Sequence, residues 1–503
     1  MKFTSKMVSN SFYAFLDWSF VAFISFLFWF FVNKNLQPEQ SGIIFTFANT
    51  AILLSNIAIF GLGTALFKLI PEYFAKRQFK KISNLIKFSF KVAVLILSVI
   101  SLILLIFSNQ LSSILKINQL VFILLIITTI ILTFSNFFSN ILFGFQNFKR
   151  IFTTDAYGSI VKILAVISLL YLGFSYFGPL IALMLGFFVV MLFRLNTKFF
   201  RKGHDGIDKK QVIFVYALPA FISTLASVIL SNGHYIILTV IKNLDITGKY
   251  GVAMSLASPI LLIPSILSAA LFPIISQLGA NKNFKRNQSH LINLTLRYVL
   301  LIGFPLLSFL ILFSKPIILI YSSQKFLPAA QLYPILAISS FIYGIGTIYF
   351  TSLYAIGKPK IYRNIIVLSS SLFLFLSILL TYLYSSIGLA VAYFISISVL
   401  SVSSYFFIRK YIKTIFNYPS LVKIIIANLF FISLVYFSDL ISVALFLKVL
   451  LVGIAGIIYL LILVPLRFYT KDDIDILNFL EFRSPKNLKK VFSLSRQIIS
   501  KYV

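Results

Sequence analysis

Residues 11–32 read SFYAFLDWSFVAFISFLFWFFV and residues 42–67 read GIIFTFANTAILLSNIAIFGLGTALF, joined by the polar turn NKNLQPEQS at 33–41. The two apolar runs contain a single acid, Asp17. Each exceeds the roughly 20 residues a helix needs to cross about 30 Å of hydrocarbon, so the pair reads as a membrane hairpin. Lys76, Arg77, Lys80, Lys81 and Lys87 follow it. Basic residues are retained on the cytoplasmic side, so the hairpin leaves and returns inside.

The rest of the chain repeats this unit. Of 503 residues, 60% are apolar and 11% charged, against about 25% charged in a soluble protein. The reading is an all-α polytopic membrane protein with about fourteen spans between residues 12 and 464. The lysines and arginines test its topology. With both termini inside, 36 of the 44 fall on inner segments and six on outer turns (Lys34, Lys116, Lys242, Lys249, Lys315 and Lys325), while Lys162 and Lys448 lie within spans. One helix more or fewer would invert every later loop and destroy that ratio. The net charge of +32 therefore follows the bilayer and does not form a nucleic-acid patch. Cysteine is absent, which excludes disulfides, a thiolate nucleophile and cysteine metal sites. The first run is longer than a signal-peptide core and lacks a small-x-small cleavage site, so it reads as a retained helix. In the tail, Leu488, Val491, Phe492, Ile498 and Ile499 beside Lys489, Lys490 and Arg496 read as a basic amphipathic helix on the inner surface.

An internal repeat organises the spans. Lys34-Asn35-Leu36 lies between the first and second, and Lys242-Asn243-Leu244 between the seventh and eighth. Ala65-Leu66-Phe67 followed by Phe79-Lys80-Lys81 has its counterpart in Ala270-Leu271-Phe272 followed by Phe284-Lys285-Arg286. A period of six spans is even, so the two halves share one orientation, and rocking them gives alternating access around a central cleft. The expected domains are a six-helix lobe at 1–211, a second at 212–423, two additional helices at 424–465 and a basic cytoplasmic tail at 466–503.

Several stretches resemble the Wzx-type flippases, the polysaccharide-exporter branch of the multidrug/oligosaccharidyl-lipid/polysaccharide superfamily. They are LQPEQSG (36–42), GLGTAL (61–66), IPEY (70–73), GFQNFK (144–149), YAIGKPK (354–360) and TKDDIDIL (470–477). The resemblance covers the whole chain. It implies two six-helix lobes in a cell membrane that carry a lipid-linked oligosaccharide from the inner to the outer leaflet. Membrane lipids are expected partners, as are glycosyltransferases or a polymerase of the same pathway. It carries over no catalytic residue, no cofactor and no metal.

Polar side chains inside spans are the candidate cleft residues, since a charge at mid-bilayer costs several kcal/mol unless paired, hydrated or facing a cavity. Asp17 reads either as a structural partner for a cation or as the carrier of a coupling proton or sodium ion. Lys162 reads as snorkelling to the cytoplasm, pairing with Asp17, or meeting a lipid pyrophosphate. His234 either packs or lines the cleft. Lys68 either anchors at the inner surface or receives an anionic head group there. Asn56 and Asn140 either bond sugar hydroxyls or link helices. Two rival functions remain. A drug exporter of the same fold, exchanging drug for protons or sodium, needs acids in the cleft, and Asp17 is the clear one. A membrane glycosyltransferase or polymerase needs acids on outer loops, where Glu39, Asp245 and Asp439 stand singly in small turns.

Overall fold

The computed structural model describes residues 2–195, 206–278, 285–412, 418–440 and 445–483, with five tail positions, 493, 496, 497, 499 and 500. Every regular element among them is helical. Among the described residues twelve helices are long and apolar enough to cross a membrane. One of these, α15 (Pro359–Tyr411), carries non-helical backbone at Ser385 (φ 56°, ψ −139°) and so makes two crossings. With α15 divided and α17 (Leu445–Ile462) added, the number reaches the fourteen expected. Most of the expected amphipathic tail helix lies outside the described residues.

The polar turns end and start helices by local chemistry. Helix α1 (Lys2–Asn35) stops before Gln37, which caps α2 (Pro38–Ile59). Gln37 N–H donates to Gln40 Oε1 (3.1 Å), while Pro38 opens the first turn, where its missing N–H is no loss. Asn118 caps α6 (Gln119–Gly144) by accepting from Val121 N–H at 2.7 Å. Asn243 caps α10 (Leu244–Ala257) by accepting from Ile246 N–H at 2.9 Å. Such caps satisfy amides that the helix itself leaves open.

The apolar run at 42–67 is not one rod. It breaks at Phe60 and Gly61, both in left-handed backbone (φ 51° and 67°), and resumes as α3 (Leu62–Ala75). The cause is tertiary. A side chain at Gly61 would collide with the backbone of Ala217 and Phe221, and the Phe60 ring packs on that of Phe221 at 4.7 Å. The opposing segment is itself irregular. Gln211–Ala217 is a π-helical turn leading into α9 (Leu218–Ile241), next to Pro219, whose missing N–H disturbs the regular ladder.

The chain forms two compact units. The first comprises Met1–Pro259, Lys315–Ser339 and Pro359–Ser403. Within it α1 packs on α7 (Phe148–Tyr171), α7 on α8 (Phe177–Arg194), and α2 on α6, α9 and α10. Its core joins Phe28, Val32, Ile44, Phe47, Phe122, Leu125, Val166 and Leu180. Helix α4 (Phe79–Ile106) turns Leu95, Leu102 and Ile106 outward, as lipid-facing positions do. The second unit comprises Ile260–Ser314, Ser340–Lys358 and Ser404–Val503. There α12 (Lys285–Leu312) packs on α11 (Leu262–Leu278) and α16 (Tyr418–Leu440), and α16 on α17.

Candidate functional site

Asp17 does not stand alone. In the first unit its carboxyl lies within hydrogen-bonding reach of the Asp155 carboxyl on α7, and its Oδ1 meets no hydrogen-bond donor. Asp155 Oδ2 accepts from Arg194 Nη2 at 2.5 Å. Arg194, at the end of α8 and 3% exposed, also donates from Nε to Thr154 Oγ1 (3.0 Å) and from Nη1 to the Ser135 carbonyl (3.4 Å). One guanidinium therefore ties α6, α7 and α8 together and faces two carboxyls.

Lys162 sits two turns further along α7 than Asp155, about 11 Å at 1.5 Å per residue. It neither pairs with Asp17 nor leaves the bundle. Its Nζ donates to Ser25 Oγ on α1 (3.2 Å) and lies 5.4 Å from the centre of the Phe28 ring. Among the described residues no carboxylate lies within ion-pair distance of it. By apolarity alone the span runs over 156–173, which sets Lys162 at a depth similar to that of Asp17, whereas α7 starts at Phe148. Asp155, Gly158 and Lys162 share one helix face (i, i+3, i+7). Gly158 and Gly186 let α7 and α8 approach there, since a side chain at Gly186 would press on the Lys162 stem. Asp17, Asp155, Lys162 and Ser25 thus form a polar file between two helices that run in the same direction.

The other candidates lie elsewhere. His234 is fully buried among Tyr235, Tyr250, Phe373 and Tyr393, with ring centres 4.7–6.1 Å away. Asn56 Nδ2 donates to the Ile52 carbonyl of its own helix (2.9 Å). Asn140 abuts Gly63, where an added Cβ would lie 2.7 Å from the Asn140 amide. Lys68 is exposed on α3, while its neighbour Glu72 pairs with Lys76 at 2.7 Å. That lysine's hydrogen bond holds the Glu72 carboxyl below the usual carboxylate range.

Sequence reasoning missed Asp155 and Arg194 as partners. Asp155 stands one residue before the apolar run at 156–173, and Arg194 opens the basic inner stretch 194–210. The usable signal was the seven-residue spacing of Asp155 and Lys162. A second buried pair was also unforeseen. In the second unit, Arg297 on α12 (7% exposed) donates to Asp473 (6% exposed) at 2.5 Å. Asp473 sits on α18 (Lys471–Arg483) and also accepts from Tyr298. Arg297 further donates to Thr470 Oγ1 at 2.8 Å.

Residues 7–279 match the family model of polysaccharide biosynthesis proteins, more than half of the chain. The chain belongs to the polysaccharide biosynthesis protein family. Residues 219–383 of this family member also match the MatE model. No curated protein matches it. Among solved structures it is similar to lipid II flippase MurJ in an inward closed conformation, with TM-score 0.71 and 18% identity over 90% of this chain and 98% of that one. It is also similar to an inward-facing multidrug resistance MATE family transporter of the MOP superfamily, with TM-score 0.64 and 16% identity over 78% and 94%. A MOP superfamily transporter from Pyrococcus furiosus gives TM-score 0.54 and 16% identity over 81% and 95%. The family member is therefore a multi-pass membrane protein with the MOP transporter fold.

Proposed function

We propose that the chain is a flippase that moves a polyprenyl-(pyro)phosphate-linked oligosaccharide from the inner to the outer leaflet of the cell membrane, with both termini in the cytoplasm. The observation that carries this is the family match over residues 7–279 on a MOP transporter fold. The halves 1–211 and 212–423 are the bodies whose rocking gives alternating access, and 424–465 and 466–503 are additions outside the repeat. The lipid tail stays in the bilayer while the polar head crosses. Lys162 supports an anionic cargo, because among the described residues its ammonium donates to the Ser25 hydroxyl and lies over the Phe28 ring with no carboxylate at ion-pair distance, which leaves donors to offer a phosphate or uronate. The Asp17–Asp155 pair supports ion coupling. One guanidinium faces two carboxyls there, which leaves place for one exchangeable proton or sodium ion.

The MatE match over residues 219–383, together with the two carboxyls, favours drug export by ion antiport as the second reading. Purified protein reconstituted in vesicles with a fluorescent lipid-linked oligosaccharide separates the two. The flippase reading expects transfer of label to the far leaflet. Efflux of cationic dyes without glycolipid transfer establishes the exporter instead.

A further inference from the structure

The sequence puts six lysines on the side opposite the basic loops, against the bias that keeps cations on the other side. Three of them are held by helix ends. Lys34 Nζ donates to the carbonyls of Leu319 (3.1 Å), Ile320 (3.4 Å) and Ser322 (3.1 Å), at the C-terminus of α13 (Ser314–Tyr321). Lys116 donates to the carbonyls of Val240 (3.4 Å) and Lys242, at the C-terminus of α9. Lys242 donates to the Tyr382 carbonyl (3.1 Å), in the last turn before the break at Ser385. Each meets carbonyls at or near a helix C-terminus, which carry the partial negative charge of that end. Lys34 and Lys116 belong to the first sequence half and their acceptors to the second. Lys242 joins two helices of the second half only.

Between these contacts the same end is closed by packing. Helices α2 and α10 cross at Gly42 and Gly248, where a side chain on either would strike the backbone carbonyl of Leu244 or Pro38 on the other. Thr46, Thr239 and Thr247 form a buried hydroxyl chain with steps of 2.7 and 2.9 Å. Trp29, Phe45 and Tyr235 stack with centres 3.8 and 5.4 Å apart. No ion pair crosses this interior seam among the described residues, so parting it strands no buried charge. Lys34 and Lys116 are exposed, and water can replace their bonds when the end opens.

We propose that Lys34 and Lys116 are positioning residues that latch the outer end shut by capping helices of the opposite half, and that they let go in the outward-open state. This rests on the alternating-access reading above. The bonds explain why cations stand on that side: they bind carbonyls, not an external anion.

The chain has no cysteine, so a single Thr239→Cys reporter reads the latch directly, with Thr247→Cys as a second reporter at the same seam. Cells carrying either reporter are treated from outside with a membrane-impermeant maleimide. Lys34→Met with Lys116→Met is expected to raise the labelling rate about tenfold, in keeping with the loss of two exposed cation contacts to helix ends. Lys34→Arg with Lys116→Arg is expected to hold the parent rate, and Lys242→Met to leave it unchanged. Equal rates in parent and double Met variant, or the same rise with Lys242→Met, overturn the proposal. Labelling needs no substrate, so its outcome stands apart from the glycolipid assay, which alone decides the flippase reading.

Discussion

At the scale of single residues, the polar file on α1 and α7 is where the chain departs from what lipid tolerates. Asp17 Oδ1 meets no donor and its neighbour is another carboxyl, an arrangement that packing alone does not call for. If Asp17 carries the coupling ion, Asp17→Asn abolishes glycolipid transfer in vesicles while insertion and yield stay at parental level. Asn is close in volume and its amide can donate to the Asp155 carboxylate, so a folding defect is not expected. Normal transfer by this variant removes Asp17 from the mechanism. His234 is the contrary case. A histidine near a helix centre reads in sequence as polar, yet four rings enclose it. Sequence cannot show that, because three of those rings (Tyr250, Phe373 and Tyr393) come from other helices.

At the scale of elements, two kinds of joint recur, and exposure distinguishes them. The lysine caps of Lys34 and Lys116 are wet and replaceable, each worth about 0.3–1 kcal/mol. The Arg297–Asp473 pair is dry on both sides (7% and 6% exposed) and pins α18 to α12. Removing one partner of such a pair costs about 3–5 kcal/mol, because the other charge stays buried, whereas replacing both by apolar groups costs far less. Arg297→Ala is therefore expected to lower the unfolding temperature of purified protein in detergent more than Arg297→Leu with Asp473→Leu does. A thermal-shift series checks this. Equal losses would mean the pair is hydrated and α18 is held otherwise. The break at Phe60 and Gly61 belongs to the same scale. The apolar run at 42–67 continues through it, and what ends the helix is the approach of the Ala217 and Phe221 backbone.

At the scale of the whole molecule, topology is the testable property. With both ends cytoplasmic, tags at residues 1 and 503 are reached by antibody only after permeabilisation, and a cysteine in the turn at Glu39 is labelled from outside. A C-terminal tag reachable on intact cells would mean an odd number of crossings and would reverse the sidedness assigned to the second half. The expectation rests on 36 of 44 basic residues and on the break at Ser385, which turns one 53-residue helix into two crossings. In the sequence that break shows only as Ser385-Ser386 between two apolar runs.

The sequence by itself determined the all-α membrane class and the number of apolar spans, because both depend on one local quantity, apolar length against bilayer thickness. It also exposed Asp17 and Lys162, since any charge in an apolar run stands out. Which groups those residues meet was decided only by the tertiary structure. Asp155, Arg194 and Ser25 lie on other helices, and their contact depends on the register of α1, α7 and α8, which glycines at 158 and 186 set by how closely they let α7 and α8 approach. The lysine caps follow the same rule. Their acceptors are backbone carbonyls, which every residue type carries, so no side-chain pattern announces them, and only the placement of one helix end beside another creates the site.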